Sequence, residues 1–404
     1  MLTYFDESEI VIGKRIGGGK LCDVFDALEF RQQWKVREIL DENEGFIRDF
    51  LSRNVRHTKN NKPRYAIKLV KKSEYEGCHD QKAAVMALRD EVWILRNVSH
   101  PNIIKLIGVP LVNYIDNEYC STHNLPSYFF LMEKINEKLE DRVALWKRKY
   151  QRLEDPRLKV VIDRRGLWLK DLYIEKLTAA VELANAVEYL HLERYLHGDL
   201  EPSNVGFSAT GTLILFDFDR AHKTNSMNFR GEIYTKGTGI GSRRYSCPEV
   251  IKGLKYRQSS EVYSFAMVLY EILALQQPFH NFTEEEFHEK VLMCGDRITL
   301  PQDWSYSIQS LLNRAWHLDE SIRPNMTEIH KTLVQELMME MSGRISEDLS
   351  VALTSFKASS STNQGDMEDK LKVAKFVNNQ FEIPRHSLSS TKSTNVKRLR
   401  TPAA

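Results

Sequence analysis

Two acids within one short stretch, Asp199 and Asp217, constrain this chain more than any other feature. The first lies in His-Gly-Asp-Leu-Glu-Pro-Ser-Asn at residues 197–204, and the second follows the apolar run Leu-Ile-Leu-Phe at residues 213–216. A short apolar run bounded by turn residues is typical of a buried strand, so Asp217 is expected at a strand end. One short region of the fold therefore carries both acids.

The spacing of His197, Asp199 and Asn204 matches the protein-kinase catalytic loop H-R-D-L-x-x-x-N, and Asp217-Phe218 stands where that family has Asp-Phe-Gly. On these residues the chain resembles a eukaryotic-type protein kinase over residues 10–340. The resemblance implies transfer of a phosphoryl group from ATP, with Asp199 as the carboxylate beside the attacking hydroxyl. It also implies a Mg²⁺ ion held by oxygens of Asn204 and Asp217.

Four residues in this stretch differ from the family pattern. Gly198 replaces the arginine, and Asp219 replaces the glycine after Asp-Phe, where aspartate tolerates a left-handed backbone better than most substitutes. Gly206 replaces an apolar residue under the adenine, so weaker packing is expected there. Glu201 replaces the lysine that usually neutralises the transferring phosphate.

The carboxylate of Glu201 would repel that phosphate unless a cation such as Arg220 or Lys223 reaches in from the following segment. Two functions therefore stay open: an active kinase, and a pseudokinase that binds nucleotide and acts as a scaffold. A nucleotide-binding protein of another family has little support, because the chain has no G-x-x-x-x-G-K-[ST] motif.

The composition argues against several classes of protein. With 42% hydrophobic and 28% charged residues, the 404-residue chain is typical of a soluble globular protein. Its net charge of +2 argues against nucleic acid or an anionic membrane as the main partner. The five cysteines are scattered without a Cys-x-x-Cys pair, so neither a disulfide framework nor a zinc site is predicted.

Hydropathy adds an expectation about location. No apolar run approaches the roughly 18 residues that span a bilayer, and residues 1–10 contain acids instead of an apolar leader. The expected location is the cytoplasm, with the nucleus open to the protein. The sequence leaves the oligomeric state undetermined.

The segment before residue 135 carries the features that the resemblance assigns to the nucleotide. Residues 10–28 alternate around a glycine cluster and predict two strands, although a plain hairpin turn has the same pattern. Residues 17–24 match G-x-G-x-x-G-x-V except that Cys22 replaces the third glycine. By resemblance the nucleotide-binding residues are Ile16, Gly17, Gly18, Gly19, Val24, Ala66, Lys68, Met132, Glu133 and Ile135.

A lysine and a glutamate complete the predicted site. Lys68 interrupts the apolar strand Tyr-Ala-Ile-Lys-Leu-Val at residues 65–70, either as an edge-strand charge or as a phosphate ligand. A helix over about residues 80–97 contains Glu91 where the family places the partner of that lysine. The alternative is a solvated surface glutamate.

Two segments are longer than the family needs. Residues 30–62 predict a helix-bearing insertion, with Ile39, Phe46, Ile47, Phe50 and Leu51 at partly helical spacing, packed on the small lobe or docking a partner. Residues 138–170 mix Trp146 and Tyr150 with basic residues, as nucleic-acid patches do. Interleaved acids favour a solvated helix and loop instead.

The later part of the chain repeats the resemblance. Glu249, in Tyr-Ser-Cys-Pro-Glu, is expected to form a buried ion pair with Arg323, and Glu261 is expected to brace the catalytic loop. Trp316 and the phrase His-Pro-Asn-Ile-Ile at residues 100–104 are most like the tyrosine-kinase-like group of Ser/Thr kinases. Ser242 and Pro202-Ser203 favour Ser/Thr over Tyr substrates.

The resemblance implies an α+β, two-lobed kinase fold with a small β-rich N-lobe and a larger helical C-lobe. The expected domain spans residues 10–340, with the N-lobe at about 10–134 and the C-lobe at about 135–340. Residues 341–404, rich in Ser, Thr, Lys and Arg, predict a disordered tail. The expected partners are ATP and a protein substrate.

Overall fold

The computed structural model describes residues 2–19, 21–31, 42–56, 61–71, 78–110, 128–157, 165–224 and 243–360. Predictions for Ile39, Ser242 and the chain after residue 360 lie outside the described residues. By its contacts the chain divides into two units, Met1–Arg344 and Ile345–Ala404. Both lobes lie in the first unit, and the helix that begins at Met326 continues into the second.

The small lobe is built on a six-stranded sheet of order β1-β5-β6-β4-β3-β2. Its strands are β1 Thr3–Phe5, β2 Ile10–Gly18, β3 Cys22–Phe30, β4 Tyr65–Val70, β5 Leu106–Pro110 and β6 Phe129–Glu133. β2 and β3 form the predicted hairpin around the glycine cluster. β1 pairs in parallel with β5, so the sheet begins before residue 10, where the sequence placed the start of the domain.

Helices α1 Glu42–Arg53 and α2 Cys78–Asn97 belong to the small lobe. The predicted insertion helix is α1, whose Leu51 is buried in a cluster that contains Phe5, Ile67 and Phe129 from the sheet. Arg48 on the same helix forms a buried ion pair with Glu9. Phe46 and Phe50 point outward and are 77% and 57% exposed, so the helical spacing was right but only half of the apolar residues face the sheet.

The large lobe is mostly helical. Its helices are α3 Leu139–Glu154, α4 Leu167–Leu192, α5 Pro248–Ile251, α6 Gln258–Ala274, α7 Glu284–Glu286, α8 Tyr306–Ala315 and α9 Met326–Ser360. The 3₁₀ turns are Glu7–Glu9, Pro202–Asn204 and Glu320–Ile322, and a π-helical turn spans Phe287–Met293. α9 continues to Ser360, so the prediction of a structureless tail from residue 341 is wrong as far as Ser360.

The core of the large lobe surrounds α6, which is apolar on nearly all sides and almost completely buried. A helix with apolar residues all round must be enclosed by other elements, and α4 and α8 are among those that pack on it. α3 also contributes to the core, because Trp146 is fully buried with Leu139 and Val143. The prediction of a solvated helix is correct only for its basic face, and Trp146 belongs to the core.

Five short strands hold the stretch from residue 195 to residue 223. They are β7 Glu137–Lys138, β8 Tyr195–Leu196, β9 Val205–Phe207, β10 Leu213–Leu215 and β11 His222–Lys223. β10, β9 and β7 form one small sheet, and β11 pairs with β8 in another. Asp199 thus lies in a loop between two anchored strands, and Asp217 follows β10, as the sequence predicted.

No helix in the described part of the chain is both long enough and apolar enough to cross a membrane.

Candidate active site

Lys68 lies in the middle of β4, between Val24 on β3 and Phe130 on β6. Its Nζ is 2.8 and 3.0 Å from the two carboxylate oxygens of Glu91 and 2.8 Å from Oδ1 of Asp217. Burial alone would lower the pKa of Lys68, but the two carboxylates outweigh it and raise that pKa. Lys68 therefore keeps its positive charge in a site that is largely closed to water.

Glu91 is held by α2, and it joins the helix to the segment after β10. Besides Lys68, it accepts a 3.2 Å hydrogen bond from the backbone N–H of Phe218. The ring of Phe218 is fully buried and meets the His197 ring edge-on, with centroids 4.8 Å apart. His197 in turn hydrogen-bonds the Phe216 carbonyl at 3.1 Å. The predicted lysine–glutamate pair is present, and the surface alternative for Glu91 is wrong.

The left-handed residue of Asp-Phe-Asp is Asp217, with φ 65°. Asp219 is not among the described residues with positive φ, so the expectation that it must tolerate a left-handed backbone is wrong. A non-glycine residue in this conformation costs about 1–3 kcal/mol and persists only where its surroundings impose it. Here the contacts of Lys68 with Asp217 and of Glu91 with Phe218 impose it.

Asp199 and Asn204 are joined within the loop after β8. The amide Nδ2 of Asn204 donates to the Asp199 carbonyl at 2.8 Å and to its Oδ2 at 3.0 Å. Because the nitrogen is used in this way, the oxygen is the atom of the amide that remains for a cation. Nη1 of Arg220 lies 3.7 Å from Oδ1 of Asp199.

The loop is also fixed from below by Glu261 on α6. Oε1 of this fully buried residue accepts from the Gly198 N–H at 2.9 Å and from the Tyr256 hydroxyl at 3.2 Å. Its Oε2 lies 2.9 Å from Nε2 of His191. Burial would raise the pKa of Glu261, but its hydrogen bonds with His191 and the loop lower it overall. The predicted brace is present.

A cavity of about 820 Å³, here called the interlobe cavity, lies between the glycine hairpin and the large lobe. Its wall includes every predicted nucleotide-binding residue except Glu133, and also Glu91, Asn204 and Asp217. The predicted residues that line it are Ile16, Gly17, Gly18, Gly19, Val24, Ala66, Lys68, Met132 and Ile135. Asp199 lies outside this wall and lines a separate small cavity.

The link between the lobes presents one backbone amide to the interlobe cavity. The N–H groups of Glu133 and Lys134 donate to the carbonyls of Lys105 and Arg64 at 3.1 and 2.9 Å. Among the described residues, the N–H of Ile135 has no backbone partner, and Ile135 lines the cavity. Ile135 is half-buried, and an N–H group in such a place is normally paired, so this position suits the edge of a heterocyclic base.

Gly206 does not leave the space that the sequence predicted. A Cβ at this position would lie 2.4 Å from Cγ2 of Ile135 and 2.8 Å from the Glu137 carbonyl oxygen. Phe216 lies 3.2 Å from the same point and lines the interlobe cavity. The expectation of weak packing is wrong, because Ile135 and Phe216 fill the place of the missing side chain.

A family model described as protein tyrosine and serine/threonine kinase matches residues 44–333. The chain belongs to this protein kinase family. The two-lobed α+β fold and the recognition of a eukaryotic-type kinase from its motifs are therefore confirmed.

Relatives of this kinase are similar at modest identity. The dual specificity protein kinase shkC of Dictyostelium discoideum is 25% identical over 287 residues, which cover 69% of this chain and 49% of the relative. The probable serine/threonine-protein kinase gdt2 of the same organism is 24% identical over 76% of this chain and 17% of its own length. Fibroblast growth factor receptor homolog 1 of Drosophila melanogaster is 29% identical over 65% and 34%. The chain thus spans half or less of the relatives' lengths.

The kinase also contains the predicted ion pair between Glu249 and Arg323. Arg323 donates through Nη1 to Oε1 of Glu249 at 2.5 Å and through Nη2 to Oε2 at 3.1 Å. Burial would raise the pKa of Glu249, but Arg323 lowers it overall. Two parallel bonds of this kind are the strong form of the interaction.

Sequence reasoning missed one ion pair at the edge of the interlobe cavity. Nζ of Lys134, in the link between the lobes, lies 2.5 Å from Oδ1 of Asp26 on β3. Both residues are mostly buried, and both line the cavity. The pair ties the small-lobe sheet to the link. β3 contains three acids, Asp23, Asp26 and Glu29, so the local sequence carried no signal that singled out Asp26.

Proposed function

We propose that this chain is an active, ATP-dependent protein kinase that phosphorylates Ser and Thr residues of protein substrates. The observation that carries the proposal is the position of Lys68, whose Nζ is within 3.0 Å of both Glu91 and Asp217. This contact requires α2 and the segment after β10 to be in place together. Phosphoryl transfer depends mainly on such positioning and on charge, so the arrangement suits catalysis.

The residues present fit ATP and Mg²⁺. The interlobe cavity has room for a nucleotide, with the Ile135 N–H for the base and Lys68 for the phosphates. Asn204 and Asp217 line it together and offer oxygen atoms, which Mg²⁺ prefers. When bound, Mg²⁺ neutralises charge on the phosphates. Within the proposal, Asp199 accepts the proton of the substrate hydroxyl.

The preference for Ser and Thr is supported by the loop and by the relatives. Pro202 begins the 3₁₀ turn that ends at Asn204, and Pro202-Ser203 follows the Ser/Thr-kinase pattern. The relatives include one named as a probable Ser/Thr kinase, one as a dual specificity kinase and one as a receptor homolog. We therefore favour Ser/Thr, with Tyr as an outcome of the test.

A second candidate function is a pseudokinase that binds nucleotide without transferring phosphate. The observation that favours it is the absence of Lys and Arg from the loop at residues 197–204, where Gly198 and Glu201 replace the family's arginine and lysine. The two functions share the nucleotide site and differ only in transfer. Only a transfer assay can separate them.

The test is phosphorylation of dephosphorylated casein, and autophosphorylation, with radiolabelled ATP and Mg²⁺. The matched control is Asp199→Asn, which keeps the size of the side chain and removes the base. We expect transfer by the natural chain, a loss of about a hundredfold or more in the variant, and a similar thermal shift with Mg²⁺–ADP in both.

The opposite results are equally clear. A normal nucleotide shift without transfer would establish the pseudokinase. The lack of any shift in a folded preparation at millimolar nucleotide would refute both functions. Phosphoamino-acid analysis of the product shows whether Ser and Thr, or Tyr, receive the phosphate.

A further inference from the structure

The catalytic loop of this kinase carries acids but no cation. Residues 197–204 contain Asp199 and Glu201 and neither Lys nor Arg. Lys68, in the interlobe cavity, is already shared between Glu91 and Asp217. A phosphoryl group in transfer carries negative charge on its equatorial oxygens, and enzymes stabilise that charge with fixed cations. The proposed reaction therefore needs a cation on the Asp199 side.

Arg220 provides one. Its Nη1 lies 3.7 Å from Oδ1 of Asp199, and the two side chains are 17% and 15% exposed. Arg220, Asp199 and Glu201 together line a small cavity of about 40 Å³, here called the loop cavity. Arg220 belongs to the segment that follows Asp217, and its guanidinium lies beside the carboxylate that, in the proposed function, accepts the proton of the substrate hydroxyl.

The backbone fixes this position. The carbonyl oxygen of Arg220 would lie 2.6 Å from a Cβ on Gly198, and Gly198 has φ +78°. The same carbonyl hydrogen-bonds Nδ1 of His222 at 3.2 Å, and β11 begins at His222 and pairs with β8. Glycine at 198 is what lets the backbone of Arg220 approach the loop. The absence of a side chain at residue 198 and the position of the Arg220 backbone are thus linked by packing.

We propose that Arg220 is a catalytic residue that stabilises the transferring phosphoryl group, in the role that the family gives to the lysine replaced here by Glu201. This inference rests on the proposed function. In the step, the substrate hydroxyl oxygen forms a bond to the γ-phosphorus while the bond from that phosphorus to the bridging oxygen breaks. The electron pair of the broken bond stays on ADP, and the hydroxyl proton moves to Asp199. Arg220 exchanges no proton and contributes only charge and hydrogen bonds.

The kinetic test uses Arg220→Met, which keeps the length of the side chain without its charge. We expect kcat to fall about a hundredfold, with the KM for ATP changed less than about threefold, because the contact forms only in the transition state. Arg314→Met, which breaks an exposed ion pair with Glu328, is the control and should leave kcat unchanged.

A second substitution tests whether the charge itself matters. Glu201→Lys returns a cation to the loop, so in the Arg220→Met background it should restore at least about tenfold of the lost rate. In the natural background, where Arg220 already supplies the cation, its effect should be smaller. No restoration, or an Arg220→Met variant as fast as the natural chain, would overturn the inference. A faster variant would show that Arg220 obstructs Asp199.

A binding measurement separates this inference from the proposed function. Mg²⁺–ADP with aluminium fluoride imitates the transferring group, whereas Mg²⁺–ADP alone does not. By calorimetry we expect Arg220→Met to bind Mg²⁺–ADP normally and to lose at least about tenfold of affinity for the fluoride complex. Equal affinities for that complex overturn the role of Arg220. Absence of transfer by the natural chain overturns the proposed function, and the binding result still decides on Arg220.

Discussion

The N–H of Gly198 donates a 2.9 Å hydrogen bond to Oε1 of Glu261, which is fully buried on α6. On its other side, Gly198 faces the carbonyl of Arg220. The residue is therefore held between the core helix and the segment after Asp217. Its left-handed backbone and the close carbonyl each disfavour a side chain, although the family usually has arginine here.

Replacing Gly198 by Ala should destabilise the protein by more than its backbone angle alone explains. A left-handed alanine costs about 1–2 kcal/mol, and the contact with the Arg220 carbonyl adds to it, so we expect a loss of at least about 2 kcal/mol. The control is Gly211→Ala, since Gly211 has φ +87° and no atom within 4 Å of its Cβ position. Urea denaturation measures both, and equal losses would contradict the close approach.

Arg323→Met should destabilise the protein by about 3–5 kcal/mol, because it leaves the charge of Glu249 in a largely buried place without a partner. The control is Arg257→Met, whose ion pair with Glu320 is 59% and 38% exposed and should be worth less than about 1 kcal/mol. Denaturation curves for the two variants check the difference. Similar losses would mean that the Glu249 pair is solvated.

Gly206→Ala should lower both stability and nucleotide affinity. The added Cβ meets Ile135 and the Glu137 carbonyl, so we expect a cost of about 1–3 kcal/mol and a smaller thermal shift with Mg²⁺–ADP. Gly45→Ala is the control, because Gly45 lies in α1 with nothing within 4 Å and should become slightly more stable. Unchanged stability and nucleotide affinity in Gly206→Ala would show that Ile135 and the Glu137 carbonyl can move aside at little cost.

Lys176 should make the stability depend on pH. It is 7% exposed, its Nζ donates to the Leu273 carbonyl at 2.8 Å, and burial lowers its pKa from 10.5 to about 8. Between these values the unfolded chain holds the proton and the folded chain does not, so stability rises with pH. Relative to Lys176→Met, the natural protein should gain about 2 kcal/mol from pH 7 to pH 9.5. Denaturation at both pH values tests this, and a constant difference would refute it.

Motif spacing was sufficient to identify the residues that meet around Lys68, because each stands at a fixed distance from a strand end or a helix face. Close contacts that belong to no motif were not visible in the same way. Nothing near Gly206 in the sequence shows that Ile135 and Phe216 occupy its place. The approach of Arg220 to Asp199 depends on a turn that local patterns do not fix.

Of two other differences, one had a signal in the sequence and one did not. One face of α3 carries Leu139, Val143 and Trp146 at helical spacing, which predicts burial. The charged residues between them had favoured a solvated helix instead. β1 is three residues long, too short for periodicity to show, and its partner strand is far away. The mixture of charges on α3 describes its outer face correctly.

The parallel pairing of β1 with β5 sets an order for folding. Thr3 pairs with Gly108, and the two lie roughly a hundred residues apart along the chain, so closing the sheet costs substantial loop entropy. Synthesis proceeds from β1 towards β5, and β1 leaves the ribosome long before its partner exists. Until β5 follows, β1 has no strand to pair with, although Phe5 can already meet Phe30 of β3, whose ring centroid lies 5.1 Å from its own. The first strand of the small lobe can therefore pair only after roughly a hundred further residues have been made.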